Sequence, residues 1–327
     1  MIPSDPAVKP FFFILGRPRS GTTLLRFLFD AHPDVCIPFE GKVIWDMYLP
    51  FNAIERWDEE TIIELVDLLS KVDRVDKWGI NFDSLKSELL LLSVKPDYQD
   101  FIRIVYRHYR SEYNKNKVLI YGDKNPTYSL FPDSLLKIIP DAKIIFILRD
   151  PRDHILSMKK AGMGNGNIIR MAVQWKKAVR DILEIKKTNP VNVFILRYED
   201  LVSEPEKHLN AFCSFLGINY SSEMLNFYLK KDSYTELFKA EGVDEKFHSK
   251  LFNPVTAAHI FRWKKEMNPH ELSVIDLCVG DIALQSGYEI SSQKLNFISS
   301  LKYRIKLYLT EIKVKRHHQR KNEIISN

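Results

Sequence analysis

The chain has 327 residues, 45% of them hydrophobic and 28% charged, which excludes a disordered or fibrous protein and permits a large core without covalent staples. Its net charge of +6 sits at the end: residues 302–321 carry eight Lys and Arg against Glu311, the remainder sums to about −1, and a general nucleic-acid-binding surface is excluded. Three scattered cysteines (Cys36, Cys213, Cys278) exclude a disulfide framework and a CxxC zinc site and fit a reducing compartment, and no apolar run nears the ~18 residues of a membrane span.

The opening stretch MIPSDPAVKP is proline-rich and lacks the basic-then-apolar order of a secretion leader, so a soluble, cytoplasmic protein is expected. Phe11–Leu15 reads as a fully buried strand, followed by the loop GRPRSG and an apolar-periodic helix over about 22–31. Residues 40–113 carry helical patterns rich in Trp, Tyr and Leu, as at 60–69 and 100–109. A second strand is predicted at 118–121. A third, KIIFIL at 143–148, runs into Arg149-Asp150-Pro151, where the proline suits a first helical turn. A long helix over 167–187 leads to a strand at 191–196. A later helix opens with Asn268-Pro269-His270-Glu271, a cap, a first-turn proline and an acid, and stops at Gly287.

Buried apolar strands alternating with helices specify an α/β fold with a central parallel sheet flanked by helices on both faces. Right-handed crossovers carry the loop after each strand to one edge, where ligands of such sheets bind. Two of these loops read as anion sites. Gly16-Arg17-Pro18-Arg19-Ser20-Gly21-Thr22-Thr23 has the spacing of a phosphate-binding loop, in which backbone N–H groups and a helix N-terminus hold a phosphate. Thr22 stands where nucleotide triphosphatases keep a lysine, and the cations are instead Arg17 and Arg19. Arg149 closes the third strand and Ser157 lies two turns into the next helix, an arginine and a hydroxyl suited to a second phosphate. Nine histidines without HxxxH or HxH spacing give no metal site.

The segments RPRSGTTLLRFLFDAHPDV and RDPRDHILSM, at this separation, resemble the 5′- and 3′-phosphate-binding motifs of sulfotransferases that use 3′-phosphoadenosine 5′-phosphosulfate (PAPS). Within that superfamily the chain most resembles the tyrosylprotein and carbohydrate-type branch and its bacterial members. Tyr198-Glu199-Asp200-Leu201, FCSFLGI at 212–218, Pro254, Arg262-Trp263-Lys264 and Gly287-Tyr288 continue a likeness that covers roughly residues 11–290. It implies a P-loop-like three-layer fold: one sulfotransferase domain over 1–290, with a helical acceptor-side insertion at 41–113, and a basic extension at 291–327.

Carried over residue by residue, the resemblance implies that Arg19, Ser20, Gly21, Thr22 and Thr23, with Arg17 beside them, hold the 5′ side of the donor. Arg149 and Ser157 would bind its 3′-phosphate, and Tyr198 and Arg262 match contacts to the nucleotide. Arg19 would also face the moving sulfuryl group, and Lys124 would stabilise the leaving oxygen or the transferred group. Glu40, spaced from His32-Pro33-Asp34-Val35 as the tyrosylprotein branch spaces its catalytic glutamate, is the candidate base, with Phe39 and Trp45 as apolar cover. His32 is the rival base, although its place in Asp30-Ala31-His32-Pro33 reads as a helix end. His154 reads as structural or as a neighbour of the 3′-phosphate. The chain departs from the family at 36–42, where paired glutamates are missing and Lys42 replaces an arginine. It departs again at Ala161, where a family arginine is absent and Lys159 or Lys160 is the candidate substitute.

The expected reaction is in-line sulfuryl transfer from PAPS to an acceptor hydroxyl of a carbohydrate, tyrosine or other phenol, or lipid, leaving adenosine 3′,5′-bisphosphate (PAP), with no metal. Trp45, Tyr48, Trp57, Trp78 and Phe82 fit either an acceptor wall that stacks on a ring or a plain core, the commoner case. In the tail, Phe297, Leu301, Ile305, Tyr308 and Ile312 recur at helical spacing among Lys and Arg. That stripe suits peripheral contact with an anionic membrane, or docking on the body or a second subunit, with docking the commoner. The rival readings are an ATP-using P-loop phosphotransferase, against which Thr22 speaks, and a nucleotide-binding, membrane-associated module without activity.

Overall fold

The computed structural model describes residues 10–230, 253–290 and 295–326, with side chains described as far as 316. The opening stretch 1–9 and the side chains of Arg320 and Lys321 lie outside the described residues. The strands are β1 (Phe12–Leu15), β2 (Val35–Cys36), β3 (Ile120–Lys124), β4 (Lys143–Leu148) and β5 (Val193–Arg197). They form one sheet in the order β2-β3-β1-β4-β5, parallel throughout. The helices up to β4 are α1 (Thr22–Asp30), α2 (Val43–Asp46), α3 (Tyr48–Asn52), α4 (Glu59–Ser70), α5 (Phe82–Leu90), α6 (Tyr98–Arg107) and α7 (Pro132–Ile138). After β4 come α8 (Pro151–Lys160), α9 (Ile168–Thr188), α10 (Tyr198–Ser203), α11 (Pro205–Leu216), α12 (Trp263–Glu266), α13 (Pro269–Gln285) and α14 (Phe297–Ser326).

β1 is apolar throughout because both its faces are covered, and its side chains alternate between two cores. Phe11, Phe13 and Leu15 enter the core shared with α4–α9 and α13, whereas Phe12 and Ile14 enter the core closed by α1, α10 and α11. β4 divides the same way, with Ile144, Phe146 and Leu148 on the first side and Ile145 and Ile147 on the second. The layers are therefore helix, sheet, helix, as expected. Asn167 and Asn268 cap α9 and α13 by accepting from the N–H groups of Arg170 and Glu271.

The second predicted strand is displaced. β3 begins at Ile120 and runs through Gly122-Asp123-Lys124, a polar sequence that reads as a turn. Pairing with β1, Phe12 to Gly122 and Ile14 to Lys124, holds these residues extended and buried. A Cβ at position 122 would stand 2.3 Å from the Phe12 ring, so only glycine fits. The Asp123 carboxylate accepts from the Tyr106 hydroxyl at 2.5 Å, and burial pushes its pKa up to about 7. β5 likewise starts at Val193, two residues later than predicted, and ends at Arg197.

The aromatics read as a candidate acceptor wall belong to the core. Trp78 is fully buried, and Trp45, Tyr48, Trp57 and Phe82 pack against the same cluster. Trp45 lies on Tyr128 and Phe131. The tail is corrected as well. Tyr303 and Leu307 pack inward as α14 runs along α9 and α13, while Phe297, Leu301, Ile305 and Tyr308 face water. Of the stripe read from the sequence these four do not dock on the body, whereas Ile312 is half-buried.

Trp78 donates its indole N–H to the Phe39 carbonyl at 3.1 Å, tying the segment before Glu40 to the helical region. Trp78→Ala is expected to lower the free energy of unfolding by about 3–5 kcal/mol in a urea titration, from the emptied site and the lost bond. A loss below about 1 kcal/mol would show that this region is not packed as one core.

Candidate active site

The loop between β1 and α1 is shaped by two left-handed residues. Gly21, at φ 99°, precedes α1, and a Cβ there would lie 2.4 Å from the Tyr198 ring. Glycine thus lets the N-terminus of α1 approach the end of β5, and its free N–H groups point to the sheet edge. Arg19 is left-handed at φ 69° although it carries a side chain. Its Nε donates to Ser157 Oγ at 3.3 Å, which joins the two anion motifs directly.

Arg149 leaves the end of β4 and crosses the same edge. Its Nη1 donates to the Arg19 carbonyl at 2.8 Å and its Nη2 to the His259 carbonyl at 3.0 Å. The guanidinium lies 4.7 Å from the centre of the Tyr198 ring, and its buried Nε has no partner among the described residues. Trp175 fixes the backbone here by donating to the Arg149 carbonyl at 2.9 Å. The neighbouring Asp150–Arg152 pair is buried and bidentate, not solvated, and Arg152 covers the Trp263 ring at 3.7 Å.

These groups open on one cleft of about 920 Å³, whose walls include Arg19, Gly21, Thr22, Thr23, Glu40, Arg149, Ser157, Tyr198 and Arg262. Ligand clefts span about 300–1,000 Å³, so the space suits a nucleotide-sized ligand with room for an acceptor. Three candidates sit behind the wall. Ser20 is 1% exposed. Arg17 is buried, donates to the Gln174 amide oxygen at 3.0 Å, and has its pKa pulled down to about 10 by burial. Lys124, 3% exposed at the end of β3, reaches Thr23 Oγ1 at 3.3 Å and forms an ion pair with Glu40.

The two ends of the cleft differ in charge balance. Arg17, Arg19 and Arg149 give hydrogen bonds to neutral acceptors: an amide, a hydroxyl and backbone carbonyls. Burial first, and then the charge of Arg149, lowers the pKa of Arg19. That is the signature of clustered positive charge, and it favours an anion. At the other end, Glu40 lies between buried Lys124 and half-exposed Arg74, whose Nη1 is 3.3 Å away. Burial lowers the pKa of Lys124, and Glu40 raises it in opposition.

His32 is not available as a base. Its Nε2 donates to the Asn219 carbonyl at 2.7 Å while Nδ1 accepts from the Asp34 N–H at 3.0 Å, so both ring nitrogens of this buried residue are engaged. Of the two lysines considered for the absent arginine, Lys160 lines the cleft beside Ala161, whereas Lys159 pairs with Glu271. Lys160 and Arg262 share Glu266. Sequence reasoning did not single out Arg74, Asp153, Thr256 or His259. Asp153 lies inside a motif already noticed, but nothing in the pattern marks the other three.

A model of the sulfotransferase family matches residues 10–222. The chain belongs to the sulfotransferase family. Among its relatives, a putative protein-tyrosine sulfotransferase of Caenorhabditis briggsae is 25% identical over 300 residues, 88% of this chain and 92% of that protein. Protein-tyrosine sulfotransferase 1 of Danio rerio is 28% identical over 265 residues, 78% of this chain and 65% of the fish protein. The sulfotransferase domain of the Synechococcus PCC 7002 olefin synthase shares the fold, with a TM-score of 0.57 and 22% identity over 87% of this chain and 96% of that domain. As a sulfotransferase, the protein uses PAPS as donor and a hydroxyl as acceptor, which sets aside both the phosphotransferase and the inactive module.

His154, in α8, is 1% exposed. Burial, and then the charges of Arg17 and Arg149, hold its imidazole well below the ordinary value of 6.5. The unfolded chain takes up this proton as pH falls below about 6.5 and the folded chain does not, so stability is lost on the acid side. His154→Gln is expected to lose about 1 kcal/mol less than wild type between pH ~7.5 and ~5.5, measured by urea unfolding. An equal loss would show that His154 ionises in the folded protein.

Proposed function

We propose that Glu40 removes the proton from a phenolic acceptor hydroxyl while Arg19 and Lys124 stabilise the charge that moves in sulfuryl transfer. The observation that carries this reading is that one cleft is lined by both the Arg19–Ser157–Arg149 cluster and Glu40, which Lys124 pairs from behind the wall. The residues suit the donor: clustered cations bonded to neutral acceptors, a buried Arg149 Nε without a partner among the described residues, and a glycine that brings the N-terminus of α1 against Tyr198. Arg149 and Ser157 take the 3′-phosphate in this reading. Thr22, Thr23 and the N–H groups opening α1 take the 5′-phosphate, with Ser20 and Arg17 supporting the loop from behind. Tyr198 and Arg262 flank the nucleotide.

PAPS supplies an activated sulfuryl group when bound. The acceptor oxygen forms its bond to sulfur as the bond between sulfur and the 5′-phosphate oxygen breaks, the proton passes to Glu40, and adenosine 3′,5′-bisphosphate leaves. Lys124 and Arg74 flank the Glu40 carboxylate on two sides and fix its position at this end of the cleft. A phenol, with a pKa of about 10, lies closer to its reach than an aliphatic hydroxyl does. The names of the worm and fish relatives point to the same acceptor, a tyrosine side chain. The helical segment 41–113 borders this acceptor end through Arg74.

Glu40→Gln is expected to keep its affinity for adenosine 3′,5′-bisphosphate in titration calorimetry and to lose about 10²–10⁴-fold in kcat with labelled PAPS and a phenolic acceptor. Undiminished turnover would remove Glu40 as base. Arg149→Ala is expected to weaken adenosine 3′,5′-bisphosphate about 10–100-fold and adenosine 5′-monophosphate much less, the lost bond to the Arg19 carbonyl touching both ligands. Equal losses for both ligands would place the 3′-phosphate elsewhere.

A further inference from the structure

Helix α14 is apolar on two opposite faces. At about 100° per residue, Tyr303, Leu307 and Val314 fall on one line, and this is the face turned toward α9 and α13. Phe297, Ile298, Leu301, Ile305, Tyr308 and Leu309 form a second stripe roughly 180° away. Each of these six is at least half exposed, up to 83% at Phe297. A continuous outward stripe of this size differs from single surface apolar residues and marks a contact surface.

The charges say what kind of surface. They border the stripe without interrupting it: Lys302, Lys306 and Lys313 run along one side, Arg304 and Lys315 along the other, all exposed. Residues 302–321 carry eight Lys and Arg against Glu311. Pairing this stripe with its copy on a second chain would set two such cationic borders against each other. A bilayer bearing anionic lipids meets both requirements, since the apolar side chains enter the interface while the lysine and arginine stems extend to the headgroups. The opposite face, packed on the body, fixes which side of the helix is presented. We propose that the outward face of α14 rests on an anionic membrane surface, placing the sulfotransferase at the periphery of a bilayer.

The test is co-sedimentation of the full chain with phosphatidylcholine vesicles, with and without phosphatidylserine, at low and high salt. Binding is expected to the anionic vesicles, and to be at least about tenfold weaker with phosphatidylcholine alone or at high salt. The triple variant Leu301→Gln/Ile305→Gln/Tyr308→Gln is expected to lose about tenfold or more, and so is Lys302→Glu/Lys313→Glu. Both should still bind adenosine 3′,5′-bisphosphate as wild type does, since these exposed side chains lie outside the donor cleft. Absence of binding to anionic vesicles overturns the proposal, as does equal, salt-insensitive binding to both lipids. A dimer that the triple variant abolishes, without vesicle binding, overturns it in favour of a second copy.

Discussion

Seating β1 between β3 and β4 in parallel brings three segments far apart in the chain, ending at Leu15, Lys124 and Leu148, to one edge of the sheet. The register that does this is fixed by both cores at once. A slip of one residue would exchange Phe12 and Ile14 with Phe13 and Leu15, turning every side chain of β1 to the wrong layer. Each of these side chains stabilises the fold by about 1.5–3 kcal/mol through burial, so the alternative registers are strongly disfavoured. The positions of the phosphate loop, Lys124 and Arg149 therefore follow from apolar packing that never touches a ligand.

The same edge is asymmetric in its electrostatics. At the arginine end, buried Arg17 and Arg149 are held by neutral oxygens, so their desolvation is only partly offset by those bonds. At the other end, Glu40 is already flanked by Lys124 and Arg74. A polyanion thus gains most at the arginine end, and any anion bound there would stabilise the fold by linkage.

The apolar strands Phe11–Leu15 and KIIFIL, the cap Asn268, and the two anion motifs were legible because period, length and turn chemistry mark them locally. Gly122-Asp123-Lys124 was not, since its polarity gives no sign that two neighbouring strands enclose it. Arg74 was invisible for a similar reason: it meets Glu40 only after a helix-rich segment folds back onto the sheet edge. His32 shows the converse, a residue of catalytic type whose two nitrogens are consumed by backbone groups that the sequence does not pair with it. In the tail, helical spacing identified a real stripe but could not tell which of two apolar faces would find the body first.

Arg19 occupies a backbone conformation that costs a residue with a side chain on the order of 1–3 kcal/mol. The bonds to Ser157 and from Arg149 hold it there, so the turn presents its cation already in place. Glycine would relax the turn and erase the charge in a single step. Selection for a sturdier fold and selection for a charged cleft thus pull against each other at this one residue, and a loop of this kind keeps its arginine only while that charge continues to matter to the cell.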